Sequence, residues 1–116
     1  MITKERVRAV LVAADPFFDV RCERMISLIA QHRVPAIYQF REYALAGGLM
    51  SYGASITDMY RQVSVYVGRV LNGENPGDLP VVLPSKFELV INMKTANALG
   101  LTIPISMQLL ADEVIE

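Results

Sequence analysis

Val7-Arg-Ala-Val-Leu-Val-Ala13, running through Asp15-Pro16 into Asp19-Val-Arg-Cys-Glu-Arg-Met-Ile-Ser-Leu-Ile-Ala-Gln31, is the stretch that decides the fold. The first seven residues are a short, nearly continuous apolar run, which suits a strand buried on both faces of a parallel sheet. Asp15-Pro16 ends it in a turn. Asp19 is placed to cap a helix whose Cys22, Met25, Ile26, Ile29 and Ala30 make one apolar stripe, with Arg21, Glu23, Arg24 and Gln31 toward water. A strand followed by its covering helix is the unit of an α/β fold.

The pattern repeats outward from there. Val34-Pro-Ala-Ile-Tyr38 restarts a strand, with Pro35 near its beginning, where a missing N–H costs the ladder least. Residues 39–46 predict one or two helical turns, closed by Gly47 and Gly48. Leu49-Met-Ser-Tyr52 reads as a third strand. Ser55-Ile-Thr-Asp58 resembles a capping box and opens the clearest helix of the chain, with Ile56, Met59, Tyr60, Val63, Val67, Val70 and Leu71 at helical spacing and Gly73 as its stop.

Residues 72–80 are rich in turn formers, and Pro80 and Pro84 keep the next stretch extended. Phe87-Glu-Leu-Val-Ile91 is expected as a strand and residues 94–99 as a short helix ended by Gly100. Pro104 then starts a last helix with Met107, Leu110, Ala111 and Val114 on one face. Such alternation packs most simply as a three-layer α/β fold, a mainly parallel sheet with helices on both faces.

Composition narrows the function. Of 116 residues, 53% are hydrophobic and 20% charged, a globular balance, and the formal net charge of -1 gives no global field toward nucleic acid. Residues 1–41 carry seven basic and four acidic side chains and the rest four and eight, which reads as two differently solvated faces. The single cysteine, Cys22, excludes an internal disulfide and a cysteine metal site. No apolar run approaches the ~18 residues of a membrane span. The start Met1-Ile-Thr-Lys-Glu-Arg6 is charged at once and has no secretory-signal pattern, so read by itself the chain stays in the cytoplasm.

Catalytic chemistry finds little support. The one histidine, His32, sits at the end of the first helix, where a cation suits the helix dipole, and no nucleophile–base pair can be assigned around it. Cys22 lies on the apolar stripe and reads as packing. The carboxylates are dispersed, so no metal and no cofactor is expected, and Gly47-Gly48 lacks the rest of a phosphate-cradling loop. One constellation remains. In doubly wound sheets ligands gather beyond the C-terminal strand ends, and three turns place polar and aromatic groups there. These are Asp15-Pro-Phe17-Phe18, Tyr38-Gln-Phe-Arg41-Glu42 and Ser51-Tyr52-Gly53. The candidate ligand contacts are therefore Asp15, Phe17, Phe18, Tyr38, Arg41, Glu42, Ser51 and Tyr52. The competing reading makes Asp15 a helix cap and the aromatics core.

Leu45-Ala-Gly-Gly-Leu-Met-Ser-Tyr-Gly53, Asp58-Met-Tyr-Arg61, Leu79-Pro80, Lys86-Phe-Glu-Leu-Val-Ile-Asn92, Lys94-Thr-Ala-Asn-Ala-Leu-Gly-Leu-Thr-Ile-Pro104 and Ala111-Asp-Glu-Val-Ile115 stand in this order. Together they resemble the C-terminal region of ABC transporter substrate-binding proteins of the tryptophan or tyrosine type, over nearly the whole chain. The resemblance implies one lobe of a type I periplasmic-binding protein and not an enzyme. It implies a small polar solute such as an amino acid bound at a cleft, an ABC permease as partner, and a periplasmic or extracytoplasmic location.

It also implies a division into a lobe-like domain, residues 1–84, and a hinge return with terminal helices, residues 85–116, packing on the same domain or on a partner. Relative to that family the first lobe and export signal are missing, so half the contacts should be absent. Exposed apolar surface then favours a homodimer. Two alternatives stay open: a non-binding structural remnant that dimerises, and a small flavodoxin-like regulatory domain using Asp15.

Overall fold

Apolar strands alternating with amphipathic helices build one five-stranded sheet. The computed structural model describes residues 6–116. In chain order the elements are β1 (Val10–Val12), α1 (Pro16–Asp19), α2 (Cys22–Gln31), β2 (Ala36–Tyr38), α3 (Arg41–Leu45), β3 (Met50–Ala54) and α4 (Ile56–Leu71). A single 3-10 turn (Pro76–Asp78) leads to β4 (Phe87–Asn92), α5 (Met93–Leu99), α6 (Ile105–Leu110) and β5 (Glu113–Ile115). The strands lie side by side in sequence order. The β1/β2, β2/β3 and β4/β5 pairs are parallel and β3/β4 is antiparallel, so the sheet is mixed but mostly parallel.

Side-chain alternation divides the core between the two faces. Val12, Ala36 and Tyr38 point to one face and meet Ile26 and Ile29 of α2 and Tyr43 of α3. Met50, Leu89 and Ile91 point to the other and meet Leu49, Ala96, Leu99, Ile103 and Met107 around α5 and α6. Asn92 joins the halves. Its Oδ1 accepts from the Thr95 N–H at 3.2 Å, capping α5, while its Nδ2 donates to the Ala44 carbonyl at 3.0 Å. Gly48 must lack a side chain, because a Cβ there would stand 2.7 Å from the Tyr38 ring and 2.8 Å from the Tyr43 carbonyl oxygen.

Three expectations are corrected. The first strand is shorter than residues 7–13, and Leu11 is 75% exposed, not buried on both faces. β1 is an end strand paired only with β2, and α5 and α6 cover β3 and β4 without reaching it. Val114 is in a strand and not on a helix. Asp112 donates its N–H to the Leu89 carbonyl at 2.8 Å and accepts the Leu89 N–H at 2.7 Å, which draws the chain into the sheet beyond Leu110. The stripe of α4 covers nothing: Asp58 is that helix's one buried residue among those described, and Tyr60, Val63, Val67 and Leu71 are exposed.

The base of α4 is nevertheless fixed. Ser55 Oγ accepts the Asp58 N–H, Gln62 Nε2 donates to Asp58 Oδ2 at 2.8 Å, and the Ser55 N–H donates to the Lys86 carbonyl at 2.9 Å. The chain therefore leaves the sheet after β3 and returns to it before β4 at adjacent points.

Candidate functional site

The parallel strands β1, β2 and β3 end on the same side of the sheet, and their terminal turns touch. Gln39, the residue after β2, makes both contacts. Its side-chain Oε1 accepts the Ala14 N–H of the first turn at 2.8 Å. Its main chain presses on the third turn, since a Cβ on Gly53 would lie 2.2 Å from the Gln39 carbonyl oxygen and 2.9 Å from Gln39 Cγ. Glycine at position 53 thus serves close approach of two backbones, a reason that spacing alone does not reveal.

Beside this junction lies an open concavity of ≈ 450 Å³, bordered by Ala13, Gln39, Tyr52, Gly53, Pro84 and Phe87 among others. Tyr52 and Phe87 stack across the β3/β4 pair with centroids 6.1 Å apart, and both rings are half exposed. Half-exposed stacked rings on a concave wall offer flat apolar contact at low ordering cost. Asp15 stands next to Ala14; its Oδ1 accepts the Phe17 N–H at 2.8 Å and caps α1. Phe17 is exposed, with the Arg21 guanidinium 4.2 Å above its ring and Phe18 edge-on to it. Phe17 and Phe18 border a second, apolar groove beside the outer edge of β1.

The remaining candidates are placed otherwise. Tyr38 is buried and stacks on Tyr43, its phenol pushed up to about 12 by burial. Tyr43 donates to Asp19 at 2.9 Å, and burial together with that bond raises its pKa further. Ser51 is buried, its Oγ unpaired among the described residues. Arg41 forms ion pairs with Glu113 and, at 3.6 Å, with Glu88. Glu42 is exposed in the first turn of α3. Asp15 and Tyr52 thus border the strand ends, Phe17 and Phe18 flank the β1 edge, and Tyr38 and Ser51 lie in the packed layer. Gln39 and Phe87 were not among the expected contacts. Gln39 carries no motif beyond following Tyr38, and Phe87 lies on a strand remote in sequence, so only pairing with β3 brings it to Tyr52.

Burial also raises the Cys22 thiol, as suits a packed side chain. No group of three or more His, Cys, Asp or Glu converges among the described residues. No described helix is long and apolar enough to cross a membrane.

A mostly parallel α/β sheet whose strand ends meet in an aromatic, partly polar concavity is the architecture of a ligand-binding lobe. The model of the family described as ABC transporter substrate binding protein matches residues 2–115, and the chain belongs to that family. It is a family of solute binders and not of catalysts.

Among solved structures, a Streptococcus pneumoniae ABC domain in complex with L-Trp is 29% identical with a TM-score of 0.90, covering 98% of this chain and 39% of that one. A conserved domain protein from Vibrio cholerae is 28% identical with a TM-score of 0.89, covering 95% of this chain and 37% of that one. The ligand-free, open structure of a Clostridium difficile substrate-binding protein with adhesive properties has 21% identity and a TM-score of 0.55, over 82% of this chain and 32% of that one, a likeness of fold alone. The chain thus spans less than two-fifths of the length of these three relatives. No curated protein sequence matches it significantly.

Proposed function

We propose that this chain supplies one wall of the solute cleft in an extracytoplasmic ABC-type binding protein that delivers an amino acid to a permease. The observation that carries the reading is the junction at Gln39, which ties the ends of three parallel strands beside a concavity with an aromatic platform. In this reading the Tyr52–Phe87 stack receives a planar apolar side chain, and the Asp15 carboxylate faces the solute ammonium. Phe17 and Phe18 extend the wall along the β1 edge, Tyr38 backs it and Ser51 lies in the packed layer, while Arg41, engaged by Glu88 and Glu113, and Glu42 stand outside its border. The S. pneumoniae relative's complex with L-Trp favours an aromatic amino acid.

One wall cannot enclose a ligand, so a dissociation constant on the order of 1 mM is expected for the chain alone. The protein contains no tryptophan. Fluorescence anisotropy of free L-tryptophan therefore reports binding directly, and it should rise on titration with this chain. Unchanged anisotropy at millimolar protein, with tyrosine, sugars and nucleosides equally silent by calorimetry, rejects the reading.

The bare stripe of α4 favours a second reading, self-association as a homodimer that binds nothing small. Sedimentation that depends on concentration, without any solute response, supports it.

A further inference from the structure

Resting on the proposed solute cleft, we infer that Gln39 is a specificity-determining residue whose oriented side-chain amide donates hydrogen bonds to the solute carboxylate. Its orientation follows from chemistry. The Ala14 N–H is a donor, so only the amide oxygen of Gln39 can face it, and the 2.8 Å bond between them fixes which end of the flat amide points at the first turn. Nε2 is consequently turned away from Ala14. Among the described residues it has no protein acceptor, although the residue is only partly exposed and borders the concavity.

Two N–H donors without a protein partner among the described residues, on a residue that borders the concavity with the Tyr52–Phe87 stack, suit an acceptor brought by the ligand. A carboxylate makes the strongest such bond, because charge-assisted hydrogen bonds exceed neutral ones. Gly53 is part of the device. A side chain at that position would collide with the Gln39 carbonyl oxygen and Cγ, so the missing Cβ lets this amide lie between the first and third turns. Asp15, next to Ala14, supplies a negative charge for the solute ammonium within the same turn. The arrangement accordingly sorts zwitterionic amino acids from their amides and from neutral ring compounds.

Two substitutions separate orientation from donation. Gln39→Glu keeps an oxygen for the Ala14 N–H but replaces the amide donors by a carboxylate oxygen. L-Tryptophan should then bind about tenfold more weakly or worse, while L-tryptophanamide, which brings its own donors, binds at least as well as to the unsubstituted chain. Gln39→Met removes the acceptor, and amide exchange at Ala14 should quicken by about tenfold or more, with Gln39→Glu retaining protection.

In the unsubstituted chain the side-chain amide NMR signals of Gln39 should move on addition of tryptophan and move less on addition of its amide, whose carbonyl accepts only a neutral hydrogen bond. An unaltered preference for tryptophan over tryptophanamide in Gln39→Glu overturns the donor role. Equal Ala14 exchange in all three proteins overturns the positioning contact. If the unsubstituted chain binds neither compound, the proposed cleft and the donor role fall together, and the exchange result decides the positioning contact alone.

Discussion

Helices α2 and α4 are written in the same amphipathic pattern, yet one is pressed onto the sheet and the other stands bare. In α2, Ile26 and Ile29 are each 7% exposed against Val12, Ala36 and Tyr38, while in α4 Tyr60 and Leu71 are 72% and 81% exposed. Periodicity fixes which side of a helix seeks cover. It does not say whether the covering surface belongs to the same stretch of chain. Here α2 is returned to the sheet by β2 almost at once, whereas α4 leads into residues 72–86 before β4 rejoins β3.

The contrast breaks most directly by truncation. Ile29→Ala should cost about 2–4 kcal/mol in urea unfolding, whereas Val67→Ala on the bare stripe should change stability by no more than about 0.5 kcal/mol. A cost at Val67 comparable to that at Ile29, in dilute monomer, means that α4 has a cover after all. Next in size is Asn92→Ala, which removes the α5 cap and the bond to the Ala44 carbonyl and should cost about 1–2 kcal/mol by the same measurement. An effect there sharpens the comparison, because α5, like α2 and unlike α4, is held by the sheet.

A smaller effect concerns helix ends. Arg33 follows α2 with φ of 52°, and Gly100 ends α5 with φ of 71°. An arginine in that left-handed region is strained where glycine is not, so Arg33→Gly should stabilise by about 0.5 kcal/mol in thermal melts.

The smallest change is expected at the base of α4. Donation from Arg61, then from Gln62, holds the Asp58 carboxyl below its usual range. A depressed folded pKa means that the contribution is present above the unfolded value of roughly 3.9 and is lost as pH falls through the folded one. Circular dichroism should therefore show α4 fraying on acidification below about pH 4, and Asp58→Asn should remove that dependence.

The alternating layout was legible because buried strands and stripes are local signals. β2, β3 and β4 overlap the strands expected at residues 34–38, 49–52 and 87–91, and α2 and α4 lie where the spacing of Ile26, Ile29, Val63 and Val67 puts them. What escaped depended on partners distant in sequence. Val114 fits a helical face by spacing, yet Asp112 anchors it to β4 through Leu89. Leu11 looks like core until the other helices are seen to stop short of β1. The convergence of the turns was expected from topology, but the residue that makes it physical, Gln39, carries no motif. Its importance lies in a bond to Ala14 and a steric gap at Gly53.

Two-dimensional amide NMR of the chain titrated with L-tryptophan tests most directly whether the three turns act as one receptor surface. Shifts should concentrate at Ala14, Asp15, Gln39, Tyr52, Gly53 and Phe87 and leave α4 unmoved. Shifts confined to α4, or none at saturating millimolar tryptophan, would contradict the account.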